Sequence, residues 1–433
     1  MLSRYTVVSP IGENQTYILY NTLFQNAVCV NPELYELIQN GRTDPDLMER
    51  YREEWETLER MGIIIGNGSD EREKLRQWFR SFQDDASYIN VNILTTNACN
   101  LACVYCYEEG RKKALRMNEE TTGAVLDWMK ERIGRNKPEE IRITFYGGEP
   151  LLHLPPIEWI AGEMRHFGRN QELMVKCGII TNGVLLDREM ANQLRDFGID
   201  DAKITLDGIG EVHDRKRPDK KGNGTFDVIC RNLRSIRGVL PVNITCNFDN
   251  ESYDSAKELP AYLKKEGLKP SQGKLRFKPI KQTDTVLWSS LGCQSGGYTM
   301  EEVRQMLELR EILQGEGYET DEDFSLGPCE YHHKNSFTID VDGEIYPCGG
   351  FPGIREHALG NVASLDEEAA KKGEEIPSQC LECRYFPSCG GGCRFLSYLR
   401  SGNPGEITCE KSYFEVAAGK ILEGALQSQL SSE

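Results

Sequence analysis

Between Tyr88 and Pro279 the sequence alternates strand-like and helix-like segments with a regularity that limits the fold more than any other feature of the chain. Strand patterns fall at Ile89–Leu94, Ile141–Tyr146, Met174–Ile180, Ala202–Leu206, Val242–Asn247 and Leu275–Pro279, with Gly, Asn or Asp near their ends. Helix patterns lie between them near 119–134, 156–167, 187–197, 225–236 and 254–266. A crossover of this length joins parallel strands, so the expected class is α/β, with a sheet that is either doubly wound or a partial barrel. Both arrangements place chemistry at the C-terminal ends of the strands.

The flanks read differently. Residues 1–65 show short strands at Tyr5–Val8, Thr16–Tyr20 and Ala27–Val30, a helix starting at Asn31-Pro32, and one longer amphipathic helix carrying Leu47, Tyr51, Trp55, Leu58 and Met61. Residues 66–87 form a charged helical connector. After Pro279 come a Gly/Ser-rich loop (Ser289–Gly297), a helix over Met300–Gln314, and a Cys-rich tail over 329–415 that is short of regular strands and would need a metal to hold it. With 39% hydrophobic residues in 433, the chain can bury an ordinary core, which excludes disordered and fibrous classes. A formal charge of −17 speaks against nucleic-acid and anionic-membrane partners. The opening MLSRYTVVSPIGENQTY has no apolar signal core and no stretch is long enough to span a bilayer, so a soluble, cytoplasmic protein is expected. Fifteen cysteines in a reducing compartment then point to metal or redox chemistry rather than disulfides.

Cys99, Cys103 and Cys106 follow the first repeat strand in the segment CNLACVYC. Three thiolates so close can each hold one iron of a cubane cluster, and the spacing supplies no fourth, leaving one iron open. Structural zinc takes four protein ligands, which this segment lacks. Gly147-Gly148-Glu149-Pro150 follows the second strand, Thr181-Asn182-Gly183 ends the third and Asp207-Gly208 the fourth, with His213-Asp214 and Arg217 just beyond. Taken singly, each is also an ordinary turn or cap. The tail adds Cys329, Gly343, Cys348 and then Cys380, Cys383, Cys389, Cys393 and Cys409. Three further cysteines at fixed offsets from Cys380 would arise by chance about 4×10⁻⁵ of the time, so the group is a constellation. Cys29, Cys177, Cys230 and Cys246 lie on apolar patterns and are expected in the core.

CNLACVYC resembles, residue by residue, the signature of the radical S-adenosylmethionine (SAM) superfamily. The resemblance implies a partial (β/α)6, TIM-like barrel and a [4Fe–4S] cluster on Cys99, Cys103 and Cys106 whose open iron is chelated by SAM, with reductive cleavage to a 5′-deoxyadenosyl radical that abstracts hydrogen. It also implies SAM contacts at Tyr105, at Gly147, Gly148, Glu149 and Pro150 for the methionyl amino group, at Asn182 and Asp207 near the ribose, and at Arg217 for the carboxylate. The tail resembles a SPASM domain, the extension that carries auxiliary [4Fe–4S] clusters in peptide-modifying members. By that resemblance Cys329, Cys348 and Cys393 hold auxiliary cluster I, and Cys380, Cys383, Cys389 and Cys409 hold auxiliary cluster II, making three clusters in all. Seven cysteines for two cubanes leave one iron of cluster I to Cys293, to another residue or to a substrate thiolate.

In size, order and position, residues 1–65 are similar to the winged-helix-like element with which SPASM maturases of ribosomal peptides capture a precursor's leader by strand addition. The acidic balance and the lack of a basic recognition helix argue against DNA in that element. The expected organisation is therefore a recognition domain with its linker helix at 1–85, a radical SAM core at 86–290, a bridging region at 291–328 and a SPASM domain at 329–433. The expected function is maturation of a ribosomally made precursor peptide through a crosslink, a Cys thioether first, with flavodoxin or ferredoxin as electron donor. Two alternatives stand beside it: a radical SAM enzyme acting on a folded protein, of the sulfatase formylglycine type, and a non-catalytic iron–sulfur electron carrier. The sequence marks no catalytic acid or base beyond the cluster.

Overall fold

Period-2 alternation builds the centre of the molecule. In a computed structural model of the protein, the described residues are 1–430 without 13–15, 41–43, 67, 107–113, 271–272, 283–286, 289–297, 321–327 and 365–374. Six parallel strands, β4 (Tyr88–Thr96), β5 (Glu140–Gly147), β6 (Met174–Thr181), β7 (Asp201–Thr205), β8 (Val242–Phe248) and β9 (Leu275–Pro279), pair in chain order as a partial barrel. One parity of each strand is apolar: Ile89, Val91 and Ile93, then Ile141, Ile143 and Phe145, then Ile244, Cys246 and Phe248 join a single core with the surrounding helices. The opposite parity carries Asn90, Asn92, Arg142, Lys176, Lys203, Asn243, Arg276 and Lys278, so the other face of the sheet is polar. The crossover helices are α5 (Glu119–Asn136), α6 (Pro155–Gln171), α7 (Arg188–Phe197), α8 (Glu211–Lys216) with α9 (Phe226–Ser235), and α10 (Tyr253–Lys265). Side-chain caps from Asn118 and Asp187 start α5 and α7 at the turn residues that sequence punctuation indicates. Two two-residue strands, β10 (Lys281–Gln282) and β11 (Leu287–Trp288), follow β9 and pair with each other.

The N-terminal part is an antiparallel sheet of β1 (Thr6–Ile11), β2 (Thr16–Asn21) and β3 (Asn26–Val30), backed by α1 (Pro32–Asn40), α2 (Pro45–Arg50) and α3 (Arg52–Arg60). The single amphipathic helix expected over Leu47–Met61 is two helices, because Tyr51 leaves helical geometry at φ −104°, ψ 27°. Its apolar residues still face one small core with Leu34, Leu37 and Trp55. Cys29 is exposed rather than buried: β3 carries apolar residues on both faces, and Cys29 falls on the outward one. Cys177, Cys230 and Cys246 are buried as expected. The charged connector is α4 (Glu71–Gln83), whose Leu75 and Phe79 are buried, so it packs rather than tethers.

The tail departs most from expectation. Its strand β12 (Ser336–Ile339) pairs parallel with β4, and β13 (Glu344–Tyr346) and β14 (Gly360–Asn361) extend the barrel sheet to nine strands. Four fully buried residues are too few to show a period in sequence, yet they place the tail directly against the strand that leads to Cys99. Helix α11 (Met300–Gly315), which starts with a capping box at Thr299 and Glu302, separates the barrel from the N-terminal sheet, and the tail closes with α12 (Phe386–Cys389), α13 (Arg394–Ser401) and α14 (Lys411–Leu430). Cys293 lies outside the described residues, as does the Gly/Ser-rich loop around it.

Phe337, 1% exposed, meets Trp128 edge-on at 5.2 Å and receives the Arg132 guanidinium at 4.2 Å. Phe337→Ala should therefore cost about 3–5 kcal/mol and loosen the tail from the barrel. Guanidinium unfolding together with limited proteolysis of the tail reads both effects.

Candidate functional site

The site starts where β4 and β5 end. Gly148 N–H donates to the Thr96 carbonyl at 2.9 Å and Glu149 N–H to the Ala98 carbonyl at 2.8 Å, so the end of β5 is stitched to the start of the cysteine loop. Only glycines fit there: Gly147 has φ +136°, and a Cβ on Gly147 or Gly148 would lie 2.3 Å from the Thr96 or Ala98 oxygen respectively. Glu149 is fully buried, and its carboxylate accepts from Thr181 Oγ1 at 2.7 Å, Asn182 N–H at 2.8 Å and Leu151 N–H at 3.1 Å. Burial pushes this carboxyl up, against those donors. Asn182 in turn donates to Asn100 Oδ1 at 2.7 Å, inside the cysteine loop, while Pro150 opens the short helical turn after β5. The loop is held from its other side by Ala102 N–H to the Pro218 carbonyl at 2.9 Å and Val104 N–H to the Lys216 carbonyl at 3.0 Å.

Below the loop lies a buried polar network. Tyr105 hydroxyl donates to Asp207 Oδ2 and accepts from Arg217 Nη1 at 2.7 Å and from Asn247 Nδ2 at 3.2 Å. Asp207 Oδ1 accepts Asn247 N–H at 2.7 Å, and Asp207 N–H donates to His213 Nδ1 at 3.0 Å. With Nδ1 accepting, His213 carries its proton on Nε2, which faces Thr225 Oγ1 at 3.1 Å; that hydroxyl passes a hydrogen bond to the Arg217 carbonyl at 2.7 Å. Burial lowers His213 to about 3, with Arg217 adding to the effect, so the ring is neutral in ordinary buffers. Burial also raises the Tyr105 hydroxyl and the Asp207 carboxyl. For Arg217 burial works against the charge, but attraction from Cys103, Tyr105 and Asp207 outweighs it and keeps the guanidinium protonated.

The residues fit an anionic group that binds iron. Cys99, Cys103 and Cys106 share one short loop, and their thiols act on one another electrostatically. Burial pushes the Cys99 thiol up to about 11, so a metal's charge is needed to make it a thiolate at neutral pH. Arg217 Nε is buried and finds no hydrogen-bond partner among the described residues, an orphan donor beside Cys103. Among the described residues no three Cys, His, Asp or Glu side chains surround a single metal-ion position. A cubane asks for something different, since each thiolate binds a different iron.

The tail cysteines fall into two neighbourhoods. Cys380 interacts electrostatically with Cys383 and Cys409, and Cys389 with Cys380. Cys348 and Cys393 pack in one apolar cluster with Phe351 and Phe395, and each sulfur accepts a backbone N–H, from Gly350 at 3.3 Å and Leu396 at 3.4 Å. Gly390, Gly391 and Gly392 all have positive φ, from +62° to +87°. A Cβ on Gly390 would meet Pro328 Cα at 2.8 Å, next to Cys329, and one on Gly392 would meet the Thr408 oxygen at 2.0 Å, next to Cys409. The turn after Cys389 is thus where the Cys329 and Cys409 segments approach the Cys389–Cys393 segment. Tyr146 at the end of β5 reaches the Gly349 carbonyl at 3.4 Å, which ties the Cys348 segment to the barrel rim.

Asn247, Asn100 and Thr225 belong to this site and were not singled out by sequence. Asn247, a polar residue closing a strand of the repeat, was the one with a usable signal.

Comparison with known proteins agrees with this construction. Residues 93–263 match the Radical SAM superfamily model. The Cysteine-type anaerobic sulfatase-maturating enzyme of Clostridium perfringens (strain 13 / Type A) is 23% identical over 370 residues, 76% of this chain and 96% of that protein. Among solved structures, native anSMEcpe with bound AdoMet superposes with TM-score 0.60 at 20% identity, over 78% of this chain and 99% of the other. Streptococcus suis SuiB bound to S-adenosylmethionine superposes with TM-score 0.55 at 14% identity, over 95% of this chain and 99% of SuiB.

The His213 geometry carries a pH signature. Its folded value of about 3 lies below the ordinary 6.5, so the stability that depends on neutral His213 is complete above about 6.5 and declines as pH falls toward 3. The slope in that window is about 1.4 kcal/mol per pH unit for one proton. Guanidinium unfolding of the iron-free protein between neutral and mildly acidic pH should show a shallower decline for His213→Gln than for the parent.

Proposed function

The chain carries a radical SAM domain, and on that premise we propose that it is an enzyme that modifies a ribosomally made peptide, joining a Cys sulfur to an unactivated carbon. Bound at Cys99, Cys103 and Cys106, a [4Fe–4S] cluster with SAM supplies a carbon-centred radical able to take hydrogen from such a carbon. The chain's own contribution is placement. Arg217, protonated and with Nε unpartnered among the described residues, suits the methionyl carboxylate. In this reading the turn at Gly147, Gly148, Glu149 and Pro150 takes the amino group and Asn182, which reaches Asn100 in the cysteine loop, the ribose, while Asp207, fully buried and held by Tyr105 and Asn247, anchors the floor of the site. Tyr105 and Asn247 hold Arg217 and Asp207 at fixed positions. The crosslink would balance with the target carbon's hydrogen atom going to the SAM-derived radical, the thiol's proton going to solvent as its sulfur bonds the carbon, and the remaining electron being accepted by an iron–sulfur group that the tail cysteines would hold. Cys329, Cys348 and Cys393 would hold one tail cluster, and Cys380, Cys383, Cys389 and Cys409 the other.

The observation that carries the peptide reading is the N-terminal sheet. Its outer strand β3 pairs as a strand only with β2 among the described residues and packs beside α1 and α3, leaving an edge to which an extended leader can add by backbone hydrogen bonds. The fold likeness to SuiB, also solved bound to precursor peptide SuiA, extends over 95% of this chain and supports the same reading. A folded-protein substrate is the second reading, favoured by the 23% identity to a sulfatase-maturating enzyme.

Two measurements test this. Replacing Cys99, Cys103 and Cys106 by Ala should abolish 5′-deoxyadenosine formation from SAM under reducing, anaerobic conditions; persistent formation would defeat the site assignment. Anaerobic co-expression with a Cys-containing precursor peptide encoded beside the gene should give a product lighter by two hydrogens per crosslink with fewer alkylatable thiols, and removing the leader should stop it. Conversion of a leaderless sulfatase-type Cys peptide instead would establish the second reading.

A further inference from the structure

The outer wall of the Cys380–Cys389 turn is built by residues more than 290 positions away in the chain. Tyr5, completely buried, donates its hydroxyl to the Leu381 carbonyl at 2.8 Å. The Thr22 hydroxyl lies 2.6 Å from the Arg384 carbonyl. Glu382, between them, pairs with both Arg4 and Arg72. Tyr5, Leu23, Leu75 and Phe79 form one apolar cluster with Cys380 and Phe386, with Cys383 packed against it, and the Phe79 and Phe386 rings meet edge-on at 5.5 Å. Two carbonyls, one carboxylate and one ring of the turn are therefore fixed from outside the tail.

We propose that the N-terminal sheet and α4 are the positioning shell of this cysteine turn, with Tyr5 and Thr22 as its positioning residues. They fix the backbone on both sides of Cys383, at Leu381 and Arg384, and cover the apolar side of Cys380. This rests on the reading that Cys380, Cys383, Cys389 and Cys409 hold an iron–sulfur cluster. Outer contacts of this kind govern how firmly metal is held and at what potential it is reduced, because they set ligand orientation and solvent access. The N-terminal part then has a second role beside peptide capture: it completes the site that takes the electron.

The test uses full-length, anaerobically reconstituted protein in the Cys99→Ala, Cys103→Ala, Cys106→Ala background, so that all remaining iron sits in the tail. Tyr5→Phe with Thr22→Val should release one cubane's share of iron to a chelator about tenfold faster than the parent, with a changed electron paramagnetic resonance signal and midpoint potential for that cluster. Tyr5→Phe with Thr22→Ser, which restores the Thr22 hydroxyl, should recover part of the difference. Thr22→Val alone should show a smaller acceleration, and it serves if the double variant does not fold. Unchanged release, signal and potential in a folded double variant overturns the inference. A Cys383→Ala control separates the two readings: if it binds as much iron as the parent, the cluster assignment itself fails.

Discussion

Everything in this molecule hangs on β4 being an interior strand. It pairs with β5 on one side and with β12 on the other, both in parallel, and its C-terminal end runs into the loop of Cys99, Cys103 and Cys106. A strand hydrogen-bonded on both edges has little freedom to shift register, since a one-residue slip would turn Ile89, Val91 and Ile93 away from the core. The cysteine loop therefore starts from a fixed point. The glycine pair after β5 and the Cys348 segment after β13 are positioned against that same point, one through the Thr96 and Ala98 carbonyls and the other through Tyr146.

The network beneath the loop shows how a charged group is kept in a buried place. Arg217 is 7% exposed and Asp207 fully buried, separated by 3.7 Å at their nearest atoms. Burying two charges costs more than their attraction returns unless further hydrogen bonds complete the site. Here Tyr105 bridges the two, Asn247 caps the carboxylate from backbone and side chain, and a neutral His213 accepts the Asp207 amide. Mutual fixation is the result, and Arg217 Nε, buried and without a hydrogen-bond partner among the described residues, is left as a donor for a bound anion.

Much of this was readable in the residues themselves. The six repeat strands and their helices lie within a few residues of their sequence patterns, because each combines a strong period with turn residues at its ends. The loop cysteines and the glycine pair were legible because close metal-ligand spacing and strand-end position are local properties. What escaped was long-range. The pairing of β12 with β4 depends on four residues whose partner lies about 245 positions earlier, and nothing local marks them. The break at Tyr51 leaves the apolar face intact, so periodicity cannot reveal it. Asn247 joins the site only because β8 ends beside β7, a matter of sheet order.

The N-terminal sheet has a consequence for biosynthesis. Val7, Ile18 and Tyr20 are buried against Phe414, Ala417 and Ile421 of α14, and Tyr5 against the turn at Leu381. During synthesis this sheet is made long before α14, so the apolar face it presents to that helix has to wait for it. Contacts of such long sequence separation form late and leave sticky surface exposed meanwhile. A sheet that waits in this way exposes apolar surface, and a chaperone that shields such a surface would help this chain to fold.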